Sequence, residues 1–460
     1  MRSSLPAALL AAGLALAGAA HAQDPLPDLG SPPPRKEARS YGIPAAEIVI
    51  FDALLNRIDK RLYGEDYAVS ESSIRRNLKG PWVVDNDPYS VNQLLHPYQG
   101  SIYHGFARSA GLGFWTSFGY TFAGSLGWEI AGESTPPSKN DQVASGIAGS
   151  FLGESLFRMS NLVLERGGSG FWRELSAALI SPPAGFNRLA FGERFREVLD
   201  SHEAAYYSRL QLGASGSLQR SASPPELERN ELLIDYAMDY GLPGKPGYRY
   251  DRPWDYFSFQ VTASSANVVE NLSTRGLLFG TDYAKGESYR GLWGLYGSYD
   301  YISPQVFRIS STALALGTTA QLRLAHEMTL QGSLLAGVGY AGVSTLHGSS
   351  ATDYHYGTTP QGLLNLRLIL GNRASLELNA REFFVSRVAG AGNGGHDNIG
   401  RADFTFILRV YREHGLAIKY LWSRRDATFP TLADLSQSRA TIGLYYAYLA
   451  REGLGAVRWQ

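Results

Sequence analysis

The segment RASLELNARE, residues 373–382, decides the fold. Leu376, Leu378 and Ala380 alternate there with Glu377, Asn379 and Arg381. A two-residue period puts apolar and polar side chains on opposite faces of an extended chain. The same alternation recurs on both sides. LLNLRLIL (363–370) opposes Leu364, Leu366 and Leu368 to Asn365 and Arg367. FTFILRVY (404–411) opposes Phe404, Phe406, Leu408 and Val410 to Thr405 and Arg409. GLAIKYLWS (415–423) opposes Leu416, Ile418, Tyr420 and Trp422 to Lys419 and Ser423. ATIGLYYAYL (440–449) sets Ile442, Leu444, Tyr446 and Tyr448 on one face. Upstream, ELLIDYAMDYG (231–241) and DYFSFQVTA (255–263) repeat the pattern, with Asp235 and Asp239 opposite the apolar row of the first.

Alternation alone also fits a soluble sandwich, but three features point elsewhere. The segments run to about ten residues, against a usual five or six for strands of soluble sheets. Aromatics gather near segment ends, as in WDYF (254–257), YLWS (420–423) and YYAY (445–448), where membrane interfaces would lie. The polar face carries Arg323, Arg367, Glu377, Arg381, Arg409 and Lys419, which suits a salt-bridged lumen. Long Gly/Asn/Asp-rich breaks (AGAGNGGHDN, LHGSSATDYH) alternate with tight turns (REHG, LGNR). Residues 201–460 are therefore expected to form an antiparallel transmembrane β-barrel of about twelve strands, counted from Tyr206.

Composition agrees. The chain has 27 Tyr, 20 Phe, 8 Trp and 51 Gly, and only 18% charged residues. Its formal charge is zero, so no basic footprint points to nucleic acid. It has no cysteine, hence no disulfide or thiol chemistry. Residues 1–22 read as a secretory signal peptide: one Arg, an apolar run from Leu5 to Ala20, then Ala20-His21-Ala22 before the expected cleavage. The run is too short and Ala-rich for a retained anchor. A cysteine-free exported chain fits a bacterial envelope, and membrane lipid is the expected partner. Residues 23–44 form a Pro-rich linker, and residues 45–200 a helical domain. Its first helix, 45–62, places Ile48, Phe51, Leu55, Ile58 and Leu62 at three- and four-residue steps.

Within that domain, residues 96–133 read HPYQGSIYHGFARSAGLGFWTSFGYTFAGSLGWEIAGE. No charge falls between Arg108 and Glu129, a run close to the length of a membrane span. Gly and Ser make it only weakly apolar, so a buried helix is expected instead of a span. Small residues recur at four-residue steps (Gly105, Ser109, Gly113, Ser117), and Ser145, Gly149 and Gly153 do so in the next helical stretch, 141–165. Two such rows let backbones approach closely. The spacing predicts one helix over 96–133, with Gly113, Ser117 and Gly119 against Gly149–Gly153. Ser138 or Asn140 is the expected N-cap of the second helix, and Gly167-Gly168 its stop.

This region resembles the domain-of-unknown-function family 3943 of bacterial envelope proteins. The resemblance rests on His96-Pro97-Tyr98, Gly100-Ser101, Tyr103, Ala107-Arg108-Ser109, Trp128-Glu129, Glu133, Ser138, Asn140-Asp141, Gly153-Glu154 and Arg158. The preceding Asn77, Trp82, Asp85, Asp87 and Asn92 also fit. It extends over about residues 73–191. Lys139 departs from it, standing where an apolar residue is expected. The resemblance implies an envelope setting and no activity.

The polar residues must then be read by themselves. His104 and Arg108 stand four apart at one end of the run, and Glu129 and Glu133 at the other. With His96 and Glu154 they make a candidate site able to hold a divalent metal or do acid/base work. The competing reading is structural: Glu154 paired with Arg108 or Arg158, Asp141 as a helix cap, and His96 at a turn. There is no HExxH, GxSxG or Walker loop to name a reaction or a cofactor. The expected function is thus a barrel with a plug-like helical domain, serving envelope structure or small-solute passage. The alternative is an outer-membrane enzyme acting on lipid or glycan through the His/Glu set.

Overall fold

A computed structural model describes residues 39–458, apart from 86, 167–169, 222–229, 345–353, 388, 391–394, 430–433 and 451–453. The expected signal peptide, most of the linker and the Gly167-Gly168 stop lie outside the described residues. The chain divides into two compact units, with the boundary between Ser201 and His202.

The first unit is helical: α1 (Gly42–Tyr63), α2 (Glu71–Lys79), α3 (His96–Ser109), α4 (Phe114–Ala131), α5 (Gly149–Glu165), α6 (Phe171–Ile180) and α7 (Pro182–Phe191). Among the described residues no helix is long and apolar enough to cross a membrane. The charge-free run is two helices, not one. Gly111 takes φ +82°, a conformation that ends α3, and Leu112 N donates to Ala107 O at 3.2 Å in the turn. Gly113 then caps the start of α4 in extended geometry. That break corrects the expected helix contact. A Cβ on Gly113 or Gly119 would meet open space, whereas one on Gly149 would lie 2.6 Å from Gly100 Cα. The α3–α5 seam is built by Gly100, Ser101 and His104 against Ser145, Gly149 and Gly153. The row Ser145, Gly149 and Gly153 forms one side of the seam, and Gly100 and Ser101 of α3, not the row through Gly113, form the other. α4 meets the 142–148 stretch instead through Phe122, whose carbonyl accepts from Gln142 Nε2 at 3.1 Å. In α1, Ile48 is buried as expected, but Ile58 and Leu62 are exposed. Ser138 caps the turn 139–141, accepting from Asp141 N at 3.2 Å.

The second unit is a closed antiparallel barrel. Its strands are β1 (Tyr206–Ser221), β2 (Asn230–Tyr240), β3 (Phe257–Ser264), β4 (Asn271–Lys285), β5 (Tyr289–Ile302), β6 (Arg308–Ala325), β7 (Met328–Ser344), β8 (Tyr354–Leu370), β9 (Ala374–Ser386), β10 (His396–Tyr411), β11 (His414–Thr428) and β12 (Leu435–Leu449). Each pairs with its sequence neighbours, and β1 pairs with β12 to close the ring. A further strand of two residues, Ala389–Gly390, pairs with the start of β8, so the thirteen-stranded sheet is a twelve-stranded barrel. The pattern GVGYAG (337–342) sits inside β7, where a Cβ on Gly337 would lie 2.6 Å from Ala315 Cα. It is strand packing and not a phosphate loop, which needs a strand-to-helix turn.

The alternation has the expected phase. Leu334 and Leu444 are 61% exposed on the outside, while Gln211, Asp235, Thr405 and Arg425 are at most 1% exposed on the inside. Apolar-out and polar-in inverts the order of a water-soluble protein and matches a barrel in lipid. Tight turns join β4–β5, β6–β7, β8–β9 and β10–β11 at the end that also holds the start of β1 and the finish of β12. The opposite end carries most of the longer loops. Leu366→Lys, on the outer face near mid-strand, is expected to cost about 2–4 kcal/mol in a bilayer folding titration.

Candidate functional site

Two buried polar networks form in the helical unit. The first centres on Glu154, which is fully buried in α5. Close approach at Gly153, where a Cβ would lie 2.7 Å from His104 Cβ, brings α3 within reach. Arg108 Nε donates to Glu154 Oε2 at 2.7 Å, and Arg158 Nε to Oε1 at 2.8 Å. His104 Nε2 lies 3.0 Å from Oε2, and Arg108 Nη2 reaches Oε1 at 3.3 Å. The Arg108 guanidinium also lies over the Phe157 ring, 4.7 Å from its centroid. Burial alone would push the Glu154 carboxyl up. The Arg108 charge, the His104 bond and the Arg158 charge outweigh it and hold the group well below the usual carboxylate range. Burial lowers the His104 pKa, against the pull of Glu154.

The second network gathers carboxylates. Val83 and Ser138 form a parallel bridge, which lays the 83–87 loop beside 137–141. Asp85 Oδ1 accepts from Asn92 Nδ2 at 2.7 Å and from Asn140 Nδ2 at 2.6 Å. Glu129 Oε2 accepts from Ser138 N at 2.7 Å. Its Oε1 is buried without a hydrogen-bond partner among the described residues. Glu133 accepts from Trp128 Nε1 at 2.7 Å and from Thr135 Oγ1 at 3.1 Å. His96 Nε2 lies 3.8 Å from Asp141 Oδ2. Burial, then neighbouring carboxylates, push Glu129 and Asp141 well above their ordinary values. Burial also raises Glu133, against the nearby His96.

The six candidates therefore split: His104, Arg108 and Glu154 meet in one network, and His96, Glu129 and Glu133 belong to the other. Asp85, Asn92, Asn140 and Asp141 enter the second network through a loop contact that no local spacing announces. Their signal in the sequence was only their place in the family-like pattern. Among the described residues no three His, Asp or Glu groups converge as metal ligands. In the first network both oxygens of the one carboxylate are taken by two arginines and a histidine, which is the chemistry of a packing centre.

The lumen holds a further set of ion pairs that sequence reading did not resolve. Arg381 (β9) reaches Asp300 (β5) at 2.5 Å, and Arg209 (β1) reaches Glu377 (β9) at 3.3 Å. Lys419 (β11) reaches Asp235 (β2) at 2.8 Å, and Arg367 (β8) reaches Asp239 (β2) at 3.0 Å. None of these strand pairs are neighbours, so each bond crosses the lumen. Nearer the long loops, Asp397 takes Arg425 at 2.7 Å, His355 at 2.9 Å and Arg387 at 3.0 Å.

Among solved structures, the outer membrane channel DcaP of Acinetobacter baumannii aligns with 54% of this chain and 96% of its own, at 8% identity and a TM-score of 0.26. An outer membrane channel from Pseudomonas putida F1 aligns with 54% of this chain and 95% of its own, at 11% identity and a TM-score of 0.30. The NanC porin aligns with 52% and 98%, at 7% identity and a TM-score of 0.26. No curated protein matches the sequence. Residues 81–183, within the helical unit, match the family described as Domain of unknown function (DUF3943).

Proposed function

We propose that this is an exported protein of the bacterial outer membrane, its leader ending at Ala22, whose barrel is sealed and serves envelope structure. In this reading the barrel anchors the plug-like helical domain instead of conducting solute. The observation that carries it is the filling of the lumen. Ion pairs cross between non-neighbouring strands, and two of the spaces among them are small. The cavity bordered by Tyr207, Arg209, Arg275, Arg367 and Glu377 measures about 50 Å³. That bordered by Glu231, Glu270, Arg401 and Arg439 measures about 30 Å³. Such volumes hold about one to a few waters. Apolar clusters lie beyond the charged layer on both sides: Ile302, Val306, Phe307, Val343 and Val385 toward the long loops, and Tyr207, Ile369, Ile407 and Leu449 toward the tight turns.

The enzyme reading gains less support. Glu154 has both oxygens bonded to Arg108, Arg158 and His104, and Glu129, whose Oε1 has no partner among the described residues, is only 1% exposed. The test is a planar-bilayer recording of the purified full-length protein. Insertion without steady current steps is expected. Stable open-channel steps would contradict the sealed lumen.

A further inference from the structure

Beyond β12, residues 454–457 pack on the inner wall of the barrel. Ala450 N donates to Ser208 O at 3.0 Å, turning the backbone at the tight-turn mouth. Leu454 is then 1% exposed, in one cluster with Tyr207, Ile369, Ile407 and Ala417, all on the inner wall. Ala456 and Val457 pack against the same cluster. The backbone that follows is held by two side-chain amides. Gln321 Nε2 (β6) donates to Val457 O at 2.7 Å, and Val457 N donates back to Gln321 Oε1 at 3.0 Å. Gln331 Nε2 (β7) donates to Gly455 O. Arg367 locks Gln331 in place, donating from Nε to its Oε1 at 3.1 Å, and lies over Tyr207, 4.2 Å from the ring centroid.

We propose that this mouth is a binding site for a short peptide with a turn at its glycine, and that residues 454–458 are its resident, displaceable ligand. The contacts are those of peptide recognition. Paired amide bonds to backbone N–H and C=O give affinity, and one apolar pocket gives specificity. Two residues set the sequence requirement. Leu454 fills the pocket. Gly455 takes φ +92°, and a Cβ there would lie 2.9 Å from Tyr207 Cβ. The described contacts that hold the segment are hydrogen bonds and apolar packing, so once they are weakened a peptide of the same pattern supplied in trans can take the site. The inference rests on the sealed-lumen reading, because the segment is part of that seal at one end.

The chain has no cysteine, so Ala417→Cys reports on the pocket alone. A polar maleimide should label that cysteine slowly in the full-length protein. Adding Gly455→Val should speed labelling by about tenfold or more, the change expected when a contact worth roughly one decade in affinity is lost. A synthetic peptide of residues 450–460 should restore protection, and a scrambled peptide should not. If Gly455→Val fails to fold, Gln321→Ala with Gln331→Ala gives the same readout. Equal labelling in parent and variant barrels, both folded by heat-modifiable migration, would overturn the proposal. So would failure of the peptide to protect the exposed cysteine. Bilayer current from the parent would instead defeat the sealed-lumen reading and leave the labelling result to judge the peptide site.

Discussion

Glu154→Ala is expected to cost the helical unit about 3–5 kcal/mol, the range for removing one partner of a buried ion network. The carboxylate is shared by Arg108 and Arg158 and bonded to His104, all at most 9% exposed. Without it two buried guanidinium groups lose the carboxylate they share. Glu154→Gln should be nearly as damaging, because it keeps shape and loses charge. Replacing Glu154, Arg108 and Arg158 together by Met should recover much of the loss, since volume is kept and no charge is stranded. The readout is the 222 nm thermal transition of the full-length protein. Equal stability of Glu154→Gln and wild type would show that the network is not a packing centre.

The same groups set a pH window. Glu154 has a folded pKa below its ordinary 4.5, so its contribution is present at neutral pH and fades as pH falls through that region. His104, lowered from 6.5, works in the same direction from about pH 6.5 downward. Glu129 and Asp141, raised well above 4.5 and 3.8, act oppositely: their contribution is complete in acid and is lost as pH rises. Glu129→Gln should therefore flatten the decline in stability that sets in as pH rises above about 4.5, read from thermal transitions across pH.

The second large effect belongs to the α3–α5 seam. Gly149→Leu or Gly100→Leu should cost about 3 kcal/mol or more, at or beyond the upper end for overpacking, because backbone atoms and not flexible side chains stand in the way. A Cβ on Gly149 would meet Gly100 Cα at 2.6 Å and Pro97 O at 3.1 Å. Gly113→Leu is the control. It faces open space at the start of α4 and should change the transition by less than about 1 kcal/mol. Equal losses at Gly113 and Gly149 would place the seam where the sequence pattern first suggested.

The barrel was legible because lipid and lumen impose opposite demands on alternate residues. Leu376, Leu378 and Ala380 could face only one way, and a slip by one residue would bury every one of them in the charged lumen. The seam was half legible. Rows of small residues at four-residue steps mark close packing but do not say where a helix ends. Gly111, one glycine among many, turns the chain with φ +82° and moves the contact to Gly100. Arg158 could be paired with Glu154 from their four-residue spacing, whereas Arg108 reaches it from α3, 46 positions away in sequence. The second network could not, since Asp85 reaches Asn140 only through the Val83–Ser138 bridge. The cross-lumen bonds depend on barrel closure, which fixes which distant strands face each other. Arg381 and Asp300 carry no mark in sequence of being partners.

The most direct test of the account is a scan of single cysteines through residues 376–381 of β9 in reconstituted bilayers. Each is labelled with an environment-sensitive fluorophore and challenged with a lipid-borne quencher. The account predicts quenching at positions 376, 378 and 380 and none at 377, 379 and 381. Quenching without alternation, or with the opposite phase, would contradict a transmembrane barrel built on these strands.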